Sequence, residues 1–260
     1  MNTPSTRSLL EFAVNAAWQA GRLTLGYFQT GIAAERKADN TPVTLADRQA
    51  EQKLRDLITR QWPDHGIIGE ELGTQPGSSG LTWILDPIDG TKSFVHGVPL
   101  YANLIALTDA QGPLVGVANF PALGEMIYAA RGVGCFWNGR PAHVSTVSDI
   151  KDATLLTSDM VGFAQFGKEE AWQRLLNSTY IQRTWGDAYG YALVATGRAE
   201  IMVDPLTEVW DCGPLQVILE EAGGTFTDWQ GTPTIYGREA IATNGHLFAE
   251  VMRLVRSQTH

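Results

Sequence analysis

Residues 83–91 read WILDPIDGT, an apolar run that turns abruptly acidic. The pattern reads as a buried strand that delivers Asp86 at its carboxyl end. Pro87 stiffens the backbone and has no N–H to satisfy, so Asp86 and Asp89 can converge on one point with the Ile88 carbonyl between them. Carboxylate and carbonyl oxygens are what hard divalent cations bind. Gly90 permits a tight approach, and the N–H groups of Gly90 and Thr91 open a predicted helix over 91–95, where an anion would be welcome. Metal ligands and a phosphate cradle would then both lie within residues 86–91. An arbitrary D-x-x-D-G would more simply be a turn with an aspartate capping a helix.

Two further acidic sites change that balance. Ile67-Ile68-Gly69-Glu70-Glu71 is a second apolar run ending in carboxylates. Trp210-Asp211 opens an apolar helical stretch over 212–222. Alone, Glu70-Glu71 would be a solvated surface pair and Asp211 a helix N-cap. Three acidic ends after apolar segments are harder to dismiss as turns, caps and surface pairs.

The elements that must position these groups alternate along the chain. Residues 8–29 carry apolar side chains at helical spacing, as do residues 44–61. Thr44 can cap the second helix, with Asp47 completing a capping box. Strand-like runs follow at 82–85, 103–108, 114–120 and 125–130, the last three joined by short turns, as in consecutive antiparallel strands. Beyond residue 150 the expected order is strand 153–157, helix 168–177, helix 188–197, strand 199–203, helix 211–222, strands 224–228 and 240–243, and helix 246–257. GTQPGSSG at 73–80 reads as a flexible loop. A layered α/β or α+β protein is expected.

Composition bounds the function. The 260 residues are 44% hydrophobic and carry a net charge of −9, enough for one large domain or two intimate halves and unsuited to nucleic acid or an anionic membrane surface. No P-loop or GxGxxG appears. A small anionic substrate stays open if bound cations reverse the local charge. The two cysteines, Cys135 and Cys212, support no disulfide framework and fit a reducing compartment. MNTPSTRSLLEFAVNAAWQ is interrupted by Glu11 and Asn15 before any long apolar run, so neither a signal peptide nor a membrane span is read, and a cytoplasmic protein is expected.

GEE at 69–71, DPIDGT at 86–91, WD at 210–211 and EAGG at 221–224 together resemble the motifs of the inositol monophosphatase superfamily. The resemblance runs from Lys37 and TPVTLAD (41–47) to ATNG (242–245). Within it, WGDAYGYALVATGRAEIMVDP at 185–205 is most similar to the histidinol-phosphatase branch. The resemblance implies an αβαβα sandwich, one catalytic unit over 1–260 with a soft boundary near 150, a homodimer, and a Mg²⁺-dependent, lithium-sensitive phosphomonoesterase. It also implies that Glu70, Asp86 and the Ile88 carbonyl hold one Mg²⁺ while Asp86, Asp89 and Asp211 hold a second, with a third near Glu70. The Thr91 hydroxyl, hydrogen-bonded to Asp47, would orient or deprotonate the attacking water, and the Gly90 and Thr91 N–H groups would hold phosphate. Attack would be direct and in line, without a phospho-enzyme. A relative that had lost catalysis would be expected to lack a ligand, and all are present.

Substrate is the finer question. Histidinol phosphate presents a protonated amine and an imidazole, and residues 185–211 supply Asp187, Tyr189, Asp204 and Glu208 beside Asp211. Anionic side chains there favour a cationic substrate over neutral inositol. Inositol 1-phosphate and 3′-phosphoadenosine 5′-phosphate are the alternatives. Asp187 can equally be a helix cap and Glu208 a surface residue. Lys37, Glu71 and His96 have no assigned role, and Cys212, Trp18, Trp62 and Trp172 read as packing.

Overall fold

A computed structural model describes residues 4–37 and 42–256. Thr41 of the TPVTLAD segment, residues 1–3 of the N-terminal reading and residue 257 of the last expected helix lie outside the described residues.

The chain opens with α1 (Thr6–Leu25), then the short hairpin β1 (Ala34–Arg36) and β2 (Pro42–Thr44), then α2 (Leu45–Gln61). Ser5 caps α1, and Thr44 with Asp47 forms the expected capping box on α2. Next come β3 (Gly66–Gly69), β4 (Gly73–Gln75), β5 (Thr82–Asp89), α3 (Thr91–Val95), β6 (Ala102–Asp109), β7 (Gly112–Phe120), β8 (Glu125–Ala130), β9 (Gly134–Trp137) and β10 (Arg140–Pro141). Among the described residues these strands form an eight-stranded sheet, order β10-β9-β8-β7-β6-β5-β3-β4, antiparallel except for the β3–β5 pair. The second half carries β11 (Thr154–Leu156), α4 (Gly162–Gln165), α5 (Glu169–Ser178), β12 (Ile181–Arg183), α6 (Ala188–Ala195), β13 (Ile201–Asp204), α7 (Val209–Glu221), β14 (Thr225–Thr227), β15 (Ala240–Thr243) and α8 (Phe248–Arg256). Its strands form a five-stranded mixed sheet, order β12-β11-β13-β15-β14.

Side-chain alternation on the strands builds the layers. On β5 and β6, Trp83, Leu85, Ile105 and Leu107 pack on α1 and α2, while Ile84, Leu104 and Ala106 face the opposite cluster with α6 and α7. On the second sheet, Met202, Ala240 and Ala242 face α6 and α7, while Ile201, Val203 and Ile241 face α4, α5 and α8. Helix pairs and sheets thus alternate as αβαβα. The middle helices are apolar all round because both their faces are covered. Gly116 of β7 lets α7 come close: a Cβ there would lie 2.3 Å from the Pro214 carbonyl oxygen.

The expected consecutive strands 103–108, 114–120 and 125–130 are β6, β7 and β8. The first helix ends at Leu25 rather than continuing to 29, where turn residues take over. The 73–80 loop contains β4, since Gly73–Gln75 completes a hairpin with β3. Strands too short for a period-2 signal, such as β1, β9 and β12, are fixed by their partners and not by local pattern.

Candidate active site

The expected strand at 82–85 continues to Asp89, and its register against β6 shifts between Asp86 and Asp89. This irregularity brings the two carboxylates together. Pro87 has no N–H to leave unpaired, its carbonyl accepts from Asn103 Nδ2 at 2.7 Å, and the Ile88 N–H donates to Asp86 Oδ1 at 3.0 Å. Asp89 Oδ2 accepts the Ala188 N–H at the start of α6 (2.8 Å), and Asp211 Oδ2 accepts the Glu208 N–H at the start of α7 (2.8 Å). One oxygen from each of Asp86, Asp89 and Asp211 lies within 4.8 Å of the other two. Two elements far apart in sequence, β5 and α7, therefore deliver three buried or half-buried carboxylates to one point.

Such crowding is unfavourable for anions in a dry site. Burial, with Glu70, Asp89 and Asp211 adding to it, pushes Asp86 well above the usual carboxylate range. Burial and then Asp187 and Asp211 do the same to Asp89, and burial pushes Asp211 up to about 7. A hard divalent cation relieves this repulsion and finds the all-oxygen donors it prefers, so the residues present fit one.

Glu70 directly follows β3, its N–H donating to Leu85 O at 3.1 Å beside Asp86, and it lines the same cleft. Lys37 bridges Glu70 (2.7 Å) and Glu71 (2.5 Å), so it is neither solvated nor free. Burial pushes Glu71 up to about 7 despite that contact.

Thr91 and Asp47 do not meet as expected. Thr91 Oγ1 donates to the Ile88 carbonyl at 3.0 Å, while Asp47 Oδ2 accepts from Thr44 N (2.7 Å) and Thr44 Oγ1 (2.6 Å). The capping box holds Asp47 fully buried at the start of α2, and its Oδ1 has no protein partner. Gly90 caps α3 with φ 75°, and a Cβ there would lie 2.6 Å from Asp187 Oδ2, so glycine is required by backbone and neighbour alike. Gly90 and Thr91 contribute N–H groups of a helix's first turn, which have no intrahelical acceptor.

The cleft above these groups is open and about 510 Å³ in volume. Asp187 lies in its wall at the N-cap of α6, yet its side chain makes no capping hydrogen bond, so it is not simply a helix cap. Burial raises its carboxyl above the ordinary range. Asp204 also lines the cleft, but its carboxylate is taken by Ser158 N (2.9 Å), Ser158 Oγ (3.2 Å) and Tyr191 OH (2.8 Å). Glu208 completes a capping box with Asp211 and pairs with Arg238. Tyr189 does not line the cleft, its hydroxyl donating to Glu125 at 3.1 Å, and exposed His96 closes α3 through Lys92 O. Cys212 is buried, as its packing role requires. Among the lining residues that sequence reasoning missed are Lys92, Asp159, Gln165, Phe166 and Leu206. They lie on α3, on α4 and in connecting loops, where no motif marks them.

The profile of the inositol monophosphatase family matches residues 5–260. The chain is 42% identical to the histidinol-phosphatase of Chlorobaculum parvum, over 90% of this chain and 91% of that one. It is 40% identical to the histidinol-phosphatase of Mycobacterium tuberculosis, over 94% of this chain and 96% of that one. The solved structure of the extragenic suppressor protein suhB from Bartonella henselae superposes with a TM-score of 0.91 at 28% identity, covering 97% of this chain and all of that one.

Proposed function

The chain belongs to the inositol monophosphatase family, and we propose that it hydrolyses L-histidinol phosphate to L-histidinol and phosphate by direct in-line attack of water, with Mg²⁺ as cofactor. The observation that carries the chemistry is the convergence of Asp86, Asp89 and Asp211 within 4.8 Å beneath an open cleft. Asp86, Asp89, Asp211, Glu70 and the Ile88 carbonyl would hold two Mg²⁺, with a third near Glu70. When bound, the cations neutralise the phosphate dianion, acidify water and stabilise the departing alkoxide.

The chain's own groups then orient the reactants. The Gly90 and Thr91 N–H groups receive phosphate oxygens at the start of α3. Because Thr91 Oγ1 donates its own proton to the Ile88 carbonyl, its lone pairs are turned to accept from the attacking water and align it. Asp47 supports this arrangement from α2 by fixing the Thr44 corner. Asp187 recognises the substrate's ammonium, and Asp204 supports that wall by holding Ser158 and Tyr191. Glu208, already paired with Arg238, contributes charge at the rim. The residues of the site come from both sides of residue 150, so 1–260 acts as one catalytic unit.

A second copy of this chain is proposed to cover the edge strand β12, around which Met160 (53% exposed), Val161 (75%), Tyr180 (73%) and Trp185 (44%) lie open. No helix among the described residues is long and apolar enough to cross a membrane, and both cysteines are free, in keeping with a cytoplasmic enzyme.

A phosphate-release panel tests the reading. Histidinol phosphate should be turned over far faster than inositol 1-phosphate or 3′-phosphoadenosine 5′-phosphate, and only with divalent cation present. Turnover surviving exhaustive chelation refutes the metal site, and a reversed preference refutes the substrate. Sedimentation at micromolar concentration should give a dimer that Tyr180→Glu dissociates.

A further inference from the structure

Helix α2 carries a buried charged pair that the proposed reaction does not use. Glu51 is fully buried and Arg55 is 8% exposed. Glu51 Oε1 accepts from Arg55 Nε at 2.8 Å. The same carboxylate accepts the backbone N–H of Glu71 on Oε2 (2.7 Å) and of Leu72 on Oε1 (3.1 Å), and the Arg55 guanidinium donates to the Gly73 carbonyl. Both ends of the pair therefore grip the turn between β3 and β4. Gly69 makes room for the grip, since a Cβ on it would lie 2.0 Å from Glu51 Oε1.

We infer that Glu51 and Arg55 are positioning residues for the metal carboxylate Glu70. Glu70 is the residue between the last ladder position of β3 and the gripped turn. On one side its own N–H is fixed to Leu85 O beside Asp86, and on the other Glu51 fixes the very next amide. Between those two anchors the backbone at Glu70 has little freedom, so its carboxylate is presented toward Asp86 before any cation arrives. Lys37 bridges the Glu70 and Glu71 carboxylates at their tips, but the hairpin's own ladder gives the backbone little support. Strands β3 and β4 are only four and three residues long, and β4 is an edge strand of the sheet. Breaking a buried ion pair leaves an uncompensated charge, so the pair also enforces one conformation of the turn where apolar packing would allow several.

The inference rests on the proposed role of Glu70, and its test separates the two. Metal-free protein is titrated calorimetrically with Mg²⁺ well below each variant's melting temperature, for wild type, Glu51→Gln, Arg55→Met, Gly69→Ala, Glu70→Gln and Leu54→Ala. Gly69→Ala displaces the Glu51 carboxylate without altering any charge, and it reads the same contact should Glu51→Gln fail to fold. Leu54→Ala loosens α2 through the core alone. The expected result is on the order of 10–100-fold weaker binding in Glu51→Gln, Arg55→Met and Gly69→Ala, the range seen when groups supporting a metal ligand are removed. Leu54→Ala should melt earlier yet bind Mg²⁺ as wild type does. Unchanged binding in Glu51→Gln alongside weakened binding in Glu70→Gln overturns the positioning role alone. Equal weakening in Leu54→Ala also overturns it, and unchanged binding in Glu70→Gln overturns both it and the metal role of Glu70.

Discussion

Asp86, Asp89 and Asp211 at the floor of the cleft each accept a backbone N–H and sit at or beside the end of β5 or in the first turn of α7. Asp159, Gln165 and Phe166 in the upper wall are exposed and lie in or next to the four-residue helix α4. Leu206 is 44% exposed in the loop after β13. The floor must keep mutually repelling carboxylates in place, and only rigid backbone contacts hold charges against that repulsion. The wall bears no such strain. Its residues can be exchanged without disturbing either sheet, which is where discrimination among phosphate esters is easiest to place.

Changing the floor should have the largest effect. Asp89→Asn keeps an oxygen for the Ala188 N–H but removes a ligand charge, and kcat for histidinol phosphate should fall roughly a thousandfold, equivalent to several kcal/mol. In chelator the same variant should melt higher than wild type, because one of the crowded buried charges is gone. A lower melting temperature without metal would mean that the floor is not strained by its own charge. Thr91→Ala comes next: kcat should drop on the order of 10²-fold while Mg²⁺ affinity by calorimetry stays near wild type. Parallel losses of both would assign the Thr91–Ile88 hydrogen bond to holding the floor together rather than to aligning water.

The wall should respond selectively. Removing a charged hydrogen-bond partner costs about 1.5–3 kcal/mol, so Asp187→Ala should lower kcat/KM for histidinol phosphate by roughly 10–100-fold. Hydrolysis of an aryl phosphate that carries no ammonium group should hardly change. Equal losses on both substrates would place Asp187 with the floor, as a neighbour of Gly90 and Asp89, and leave wall and floor undivided in function.

The smallest effect concerns neither region. His65 is buried between Trp62 and Trp83, and its Nδ1 accepts from Trp83 Nε1 at 3.0 Å. Burial lowers its affinity for a proton, so the folded state takes one up less readily than the unfolded chain. Its stabilising contribution is therefore complete above about pH 6.5 and is lost as pH falls below that toward the depressed folded value. His65→Gln should flatten the fall in melting temperature between neutral and mildly acid pH without altering kcat at neutral pH. An unchanged acid slope would show that His65 takes up its proton equally in the folded and unfolded states, and a changed kcat would tie this end of α2 to the site.

Much of the floor was legible in one dimension. WILDPIDGT announces a buried strand ending in acid, and Thr44-x-x-Asp47 announces a capped helix. The apolar runs 67–69 and 212–222 are a strand and the greater part of a helix, and Glu70 and Asp211 stand where the sequence put them. These signals are local, since hydrophobic periodicity and chain-terminal polar groups fix an element and its ends within a few residues. What the sequence left open is every choice between partners distant along the chain. Asp47 is held by Thr44 and Thr91 by Ile88, though nothing local prevents the two from meeting. Asp204 turns to Ser158 and Tyr191, Glu51 reaches across to the amides of Glu71 and Leu72, and α4 closes the wall without any motif. A hydrogen bond forms within about 3 Å, and which donor stands that close to a given carboxylate is settled only when sheets and helices have packed.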